Sequence, residues 1–322
     1  MSADPVVLLH SDRPEPAADI VRQAHPDLTV VTCDDYESVP RVVADHEAEV
    51  VYTVRFAGTP GFPRAAMVES PTVRWVSVGG SGTDHLAPWD PQAVTVTNAA
   101  GVAADIMAEY ALGTVLHFSL DLDRFRAAQA RRAWAPAPMT PVEGQTALIV
   151  GLGQTGQAAA RRFGAMGMTV LGVRARPAPV EAVDEVHPVD ALPDLLPRAD
   201  VVLVSVPLLP STRGLLGADA LAAIKPGAVL VNVARGGVVD EDAMLAALRD
   251  GRLKGAALDV FETEPLPADS PLWDAPNVIV TPHCSAVYKG WDLRSVAMFA
   301  ENLGRYRQGV PLSNVVDPAR GY

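Results

Sequence analysis

Three polar residues each stand just past a short apolar, β-branched run: Arg235 in AVLVNVARGG, Glu264 in AALDVFETEP and His283 in NVIVTPHCS. Ligands of open parallel α/β sheets bind outside the carboxyl ends of the strands, so this placement directs all three side chains to one crevice. An Arg, a His and a carboxylate suffice to hold a carbonyl acid and to move a proton. His283 is the candidate acid/base, because imidazole alone has an unperturbed pKa near physiological pH. Glu264 can accept from its far nitrogen and favour the imidazolium, while Arg235 offers planar, bidentate recognition of a carboxylate. Each also has an ordinary role, as a capping histidine, a turn acid before Pro265 or a loop arginine. Their joint placement at three strand ends of one sheet favours the chemical one. The other histidines (His10, His25, His46, His85, His117 and His187) lack such company and are read as structural. Cys284, beside His283, is read as a small buried thiol.

The stretch TALIVGLGQTGQAAARRF supplies a strand, a glycine turn and a helix in the order a dinucleotide requires. In Gly151-Leu152-Gly153-Gln154-Thr155-Gly156, the first glycine permits the tight turn, the second lets the backbone approach a pyrophosphate, and the third allows close helix packing. The helix N-terminus then faces the phosphates. The next run, MTVLGVRARP, ends in Arg174 and Arg176 with no acid. A carboxylate there would bind the ribose hydroxyls, whereas Arg accommodates a 2′-phosphate, so NADP(H) is favoured. The alternative is NAD(H), bound through other groups with these arginines solvated. Together the two sets of residues point to a nicotinamide-dependent oxidoreductase.

The elements that must position these residues are legible along the chain. At 322 residues it exceeds one ordinary core, which favours two domains. VVLLH, LTVVTC, EVVYTVR, VRWVSVG and VTVTN read as strands buried on both faces of a first parallel α/β domain, with helices such as EPAADIVRQA between them. AADIMAEYALGTVLHFSLDLDRFRAAQARRAW has helical periodicity and ends in APAPMTP, a connecting helix followed by an arm. From Thr146, six further runs (ALIV, MTVLGV, VVLVSV, AVLVNV, GAALDV and NVIVT) predict a doubly wound sheet. SAVYKGWDLRSVAMFAENLGRYRQG predicts a terminal helix that returns to the first domain. The expected division is a discontinuous substrate domain, residues 1–98 and 287–322, interrupted by a dinucleotide domain, residues 99–286.

Composition removes other classes. A net charge of -12 argues against a sequence-independent hold on nucleic acid or an anionic membrane. No apolar stretch reaches the roughly 18 residues of a membrane span, and MSADPVVLLH has no signal-peptide pattern, so the expected location is the cytoplasm. The two cysteines, Cys33 and Cys284, are too few for a disulfide framework, lack metal-ligand spacing and are expected to be reduced.

VGLGQTG, VSVPLLPSTRGL, NVARGGVVDEDAMLAAL, GAALDVFETEPLP and NVIVTPHCS together resemble the D-isomer-specific 2-hydroxyacid dehydrogenase family, over essentially the whole chain. The resemblance implies a Rossmann-type doubly wound nucleotide domain inserted into a smaller flavodoxin-like substrate domain. It implies that Arg235 binds and polarises the substrate, that His283 is the acid/base and that Glu264 tunes it. Asp259 and the Ala234 backbone would contact the nicotinamide end, and Pro207 and Thr212 would lie near the adenosine. SVGGSGTDHL is similar to the family's substrate loop, which implies that N–H groups around Gly80, Ser81 and Gly82 hold the substrate carboxylate; Arg55, in TVRFAG, is a further candidate for that pocket. NAD-preferring members carry an acid where Arg174 stands, which strengthens the NADP(H) expectation and implies reduction as the working direction. CSAVYKG departs from the glycine-containing run many members have after the histidine. The terminal NVVDPARGY resembles the glyoxylate and hydroxypyruvate reductase branch, implying a small polar 2-keto acid. A homodimer through the nucleotide domain, with Leu120 to Trp134 as its arm, is also implied. Two rival readings use the same fold. A dinucleotide-sensing, corepressor-like regulator is not excluded by the retained Arg, Glu and His, although no basic or disordered tail is visible. A formate-type dehydrogenase would carry an amide in place of Glu264.

Overall fold

The structure is a computed structural model that describes residues 4–55, 59–318 and 320. Met1 to Ala3, Phe56 to Gly58 of TVRFAG, and Ala319, Gly321 and Tyr322 of the terminal NVVDPARGY lie outside the described residues. The chain divides into two compact units, one formed by Met1–Val102 with Tyr288–Tyr322 and the other by Ala103–Val287.

In the first unit, β1 (Val7–His10), β2 (Val30–Cys33), β3 (Val50–Thr53), β4 (Trp75–Val78) and β5 (Thr95–Asn98) form a parallel sheet in the order β2-β1-β3-β4-β5. Helices cover both faces, and this is why β1, β3 and β4 read as continuous apolar runs and are buried throughout. The two-residue period of the strands divides them between cores. Val7, Leu9, Val50, Tyr52 and Trp75 pack with Ala17, Ala18 and Val21 of the helix Pro14–Ala24 and with Val296, Phe299, Ala300 and Leu303 of the terminal helix Trp291–Arg307. Leu8, Val51 and Val76 face the opposite core with Val39, Val43 and Met67. His25 Nε2, 2.8 Å from the Ala300 carbonyl oxygen, joins the two helices of the first face.

In the second unit, β6 (Thr146–Val150), β7 (Thr169–Val173), β8 (Glu185–His187), β9 (Val201–Val204), β10 (Ala228–Asn232), β11 (Leu253–Leu258) and β12 (Val278–Val280) form a parallel sheet in the order β12-β11-β10-β9-β6-β7-β8. This is the Rossmann-type doubly wound order, which reverses between β6 and β9. The six apolar runs of the sequence are β6, β7 and β9 to β12, and β8 is an addition. Its three residues, Glu-Val-His, have no apolar run to announce them, and it forms only as an edge strand paired to β7. The long helical stretch is two helices, Ala104–Ser119 and Leu122–Ala130, separated at Asp121, whose φ of +53° breaks the right-handed path. Beyond them the APAPMTP segment forms no helix or strand, and Trp134 is 97% exposed. Among the described residues, no helix is long and apolar enough to cross a membrane, and no group of three or more His, Cys, Asp or Glu side chains is disposed to hold a metal ion.

Phe299 tests the packing of the terminal helix, since its ring centroid lies 5.3 Å from Tyr52 and 5.1 Å from Trp75. Phe299→Ala should destabilise the first unit by about 3–5 kcal/mol through lost burial and the cavity left behind. The measurement is the chemical denaturation curve of the full chain, and an unchanged midpoint would show that this helix does not stabilise the unit.

Candidate active site

The glycine turn between β6 and the helix Gln154–Ala165 has three glycines with three distinct requirements. Gly151 has φ +104°, and a Cβ there would meet the Ser205 carbonyl oxygen at 2.7 Å. A Cβ on Gly156 would lie 2.0 Å from the Gly151 carbonyl oxygen, so only glycine lets the helix approach the strand this closely. A Cβ on Gly153 would meet nothing within 4 Å. Its bareness answers to no neighbour in the protein and fits the approach of a pyrophosphate. Gln154 and Thr155 open the helix; Thr155 Oγ1 lies 3.7 Å from Met107 Sδ. Arg174 directly follows β7, its N–H donating to the His187 carbonyl at 3.1 Å, and Arg176 lies exposed two residues on. Among the described residues, neither guanidinium is engaged by a carboxylate. After β9, Thr212 Oγ1 donates to the Pro207 carbonyl at 2.6 Å and accepts the Leu209 N–H at 2.8 Å, closing the Pro207 to Thr212 turn.

Arg235, Glu264 and His283 follow β10, β11 and β12, three adjacent strands of one sheet. His283 Nδ1 lies 2.8 Å from Glu264 Oε2, with side chains 35% and 27% exposed. The other carboxylate oxygen, Oε1, accepts the Phe261 N–H at 3.0 Å, which fixes the orientation of the pair. Burial pushes the Glu264 carboxyl up, but the His283 hydrogen bond and charge, the Phe261 amide and the Arg235 charge outweigh it, leaving a net shift below the ordinary value. The shift sets a sign: the pair's contribution is complete above the ordinary value of 4.5 and is lost as pH falls through the lower folded value.

Arg235 adopts extended backbone, and one guanidinium nitrogen, Nη1, donates to the Ala234 carbonyl at 2.8 Å. The Ala234 N–H in turn donates to Asn232 Oδ1 at 3.0 Å, an Asx turn that lifts the chain off the end of β10. A Cβ on Gly236 would lie 1.9 Å from the Phe261 carbonyl carbon and 2.1 Å from the Glu262 nitrogen, so the Arg235 loop packs backbone to backbone on the loop that carries Glu264. Glu241 secures that loop from beyond, accepting the Glu262 N–H at 2.6 Å.

Asp259 organises the third loop. Its side chain is 1% exposed. One carboxylate oxygen accepts from Thr281 Oγ1 at 2.6 Å and from the Cys284 N–H at 2.9 Å; the other accepts from the Ser285 N–H at 3.0 Å and from Ser285 Oγ at 2.5 Å. The His283 N–H donates to the Asp259 carbonyl at 2.8 Å. His283 itself has φ +51°, a left-handed conformation that costs a non-glycine residue about 1–3 kcal/mol and persists only where the surroundings over-determine it. Thr281 Oγ1, its one hydrogen given to Asp259, accepts from Tyr110 Oη at 3.0 Å. Burial, then the Asp259 charge, pushes the Cys284 thiol up, so this free cysteine stays protonated and is a poor nucleophile.

The remaining candidates lie in the first unit. Gly80, Ser81 and Gly82 follow β4, and Arg55 follows β3 and is exposed. His10 ends β1, its Nδ1 2.8 Å from Thr53 Oγ1, and burial holds its pKa at about 4 against the opposing charges of Asp35 and Asp34. Thr281, Ser285, Tyr110 and Glu241 were not anticipated. No local signal marks them: Thr281 and Ser285 lie outside the regular elements, and Tyr110 stands in a helix that also carries Asp105, Glu109 and Thr114.

Comparison with known proteins bears on this arrangement. Residues 112–285 match the family model described as "D-isomer specific 2-hydroxyacid dehydrogenase, NAD binding domain". The D-3-phosphoglycerate dehydrogenase of Methanocaldococcus jannaschii is 33% identical over 79% of this chain and 49% of its own length, so the chain spans about half of that curated relative. A D-isomer-specific 2-hydroxyacid dehydrogenase from Xanthobacter autotrophicus Py2, solved with NADPH and MES, is 34% identical with a TM-score of 0.85, covering 99% of this chain and 100% of that one. An NADPH-dependent glyoxylate/hydroxypyruvate reductase from Sinorhizobium meliloti, solved with NADP and sulfate, is 29% identical with a TM-score of 0.82, covering 99% and 100%.

Removal of the Asp259 carboxylate should be costly, because each buried donor left without an acceptor costs about 1–3 kcal/mol. Asp259→Ala should lower the denaturation midpoint of the full chain and speed amide exchange at Cys284 and Ser285. Unchanged exchange at both amides would show that the loop is held by other contacts.

Proposed function

Because the chain belongs to the D-isomer-specific 2-hydroxyacid dehydrogenase family, we propose that it reduces a small 2-keto acid, such as glyoxylate or hydroxypyruvate, to the D-2-hydroxy acid with NADP(H). The observation that carries this reading is the 2.8 Å contact between His283 Nδ1 and Glu264 Oε2, which leaves Nε2 for the substrate. When bound, the nicotinamide supplies the hydride. His283 delivers the Nε2 proton to the ketone oxygen and takes it back in the reverse direction. Glu264 orients the ring and stabilises the imidazolium before transfer. Arg235 binds the keto acid and stabilises negative charge as it develops on the former ketone oxygen. The amides around Gly80, Ser81 and Gly82 hold the substrate carboxylate, with Arg55 beside them.

Gly151, Gly153, Gln154, Thr155 and Gly156 receive the pyrophosphate at a helix N-terminus, and Arg174 and Arg176 receive the 2′-phosphate. The neighbours solved with NADPH and NADP support this choice, and NAD(H) is the alternative. Pro207 and Thr212 border the adenosine. Ala234 and Asp259 border the nicotinamide; Asp259 acts there by holding the His283 loop, since four donors already occupy its carboxylate. In this reading the first unit binds substrate, the second binds dinucleotide, and the enzyme works in the cytoplasm as a homodimer. The exposed Trp134 of the arm supports that assembly.

Initial rates of NADPH and NADH oxidation with glyoxylate, hydroxypyruvate, pyruvate and phenylpyruvate test the proposal. Turnover with NADPH and a small keto acid is expected; silence across the panel with cofactor still bound would favour a dinucleotide sensor. His283→Ala should lower kcat about 10²- to 10⁴-fold with NADPH affinity nearly intact, the range expected for a general acid, and wild-type turnover would refute its role. Arg174→Asp should weaken NADPH far more than NADH, whereas equal losses would mean that Arg174 does not read the 2′-phosphate.

A further inference from the structure

The terminal helix buries a hydroxyl that the chemistry above does not use. Ser295 is 1% exposed, as is Tyr52 at the centre of β3. Tyr52 Oη donates to Ser295 Oγ at 3.0 Å, and Ser295 Oγ donates to the Gly79 carbonyl oxygen at 2.8 Å. A serine hydroxyl has one hydrogen. By filling an acceptor site on Ser295, Tyr52 leaves that hydrogen for Gly79. Burial pushes the Tyr52 phenol up to about 12, so it stays a donor. Gly79 has no room for a side chain, because a Cβ there would meet Tyr52 Oη at 2.5 Å.

The next two carbonyls are tied down in the same way. The Gly80 carbonyl accepts the Ala99 N–H at 2.9 Å, and the Ser81 carbonyl accepts Asn98 Nδ2 at 2.8 Å. In a trans peptide the N–H of residue i+1 points opposite to the C=O of residue i. Anchoring the carbonyls of Gly79, Gly80 and Ser81 to the body of the unit therefore turns the N–H groups of Gly80, Ser81 and Gly82 away from it. Among the described residues, none of these three N–H groups donates to a protein acceptor. Three successive outward amides make a concave site for an anion, of the size and geometry of a carboxylate.

We propose that Ser295, with its hydrogen directed by Tyr52, is a positioning residue for the substrate carboxylate. It sets the Gly79–Gly80 peptide so that the first of the three amides faces the anion. The terminal helix thereby acts on substrate affinity without touching the substrate. This inference rests on the reading of the protein as a 2-keto acid reductase and of the Gly80 to Gly82 amides as its carboxylate site. It makes no demand on the dinucleotide site or on the proton donor, so its signature is confined to KM for the keto acid.

Ser295→Ala should raise KM for glyoxylate about tenfold, the equivalent of one hydrogen bond to a charged group. Tyr52→Phe should move it in the same direction by a smaller factor, because the serine hydrogen is then free to rotate. In both variants kcat and KM for NADPH should stay within about twofold of wild type, as expected when the binding lost is shared equally by the ground and transition states. Calorimetric titration with oxalate, a carboxylate probe that needs no turnover, should show the same loss of affinity. Wild-type KM and oxalate affinity in both variants would overturn the proposal, as would a fall in kcat and thermal stability together with a rise in KM for NADPH, which marks general damage. If the wild type reduces no keto acid, the reductase reading fails; oxalate binding then decides this inference separately, with weaker binding in both variants supporting it and equal or absent binding overturning it.

Discussion

A buried carboxylate governs the chemical end of the second unit. Asp259 sits just past β11, and its two oxygens accept four hydrogen bonds, all from the segment Thr281 to Ser285 after β12. A polar group so deeply buried is tolerable only when its hydrogen-bonding capacity is filled. Here the donors lie on either side of His283, so satisfying the carboxylate also dictates the path of the histidine's backbone. The left-handed conformation at His283 follows, supported by its N–H bond to the Asp259 carbonyl.

The three loops are thereby linked to one another. Gly236 brings the Arg235 loop against Phe261 and Glu262, Glu241 secures the Glu262 amide, and the Phe261 amide orients Glu264 toward His283. Each of these contacts is short, and all but the Glu264 to His283 pair have a backbone group as a partner. Groups that act together on one ligand must stay within a fraction of an ångström of a shared geometry, and short contacts anchored on backbone hold them there with little entropy left to lose. The two carboxylates that meet the histidine loop have separate tasks because their surroundings differ. Asp259 is filled by donors of the loop itself, whereas Glu264 keeps one oxygen for the imidazole.

Much of this was legible in the chain. The apolar runs marked the strands of both sheets except β8, whose three residues form a strand only because β7 offers an edge. The helix after β5 was legible as a helix but not as two, since the left-handed turn at Asp121 has no proline or glycine to announce it. Arg235, Glu264 and His283 could be found because strand ends are read locally and parallel sheets gather them. The carboxylate bonding of Asp259 could not, because its partners lie 22 to 26 residues away and reach it only once β11 and β12 are paired.

The sequence by itself determined the period of each element, the glycines of the nucleotide turn and the identity of the groups able to hold an anion or move a proton. Those properties depend on local sterics and on intrinsic pKa, and both are carried by residue type and spacing. The tertiary structure alone decided which hydroxyl meets which carbonyl. Tyr52, Ser295 and Gly79 are separated by up to 243 residues, and nothing in their spacing announces a relay. The direction of a peptide plane depends on long-range packing around it, and that direction decides whether a glycine loop offers amides or carbonyls to a ligand.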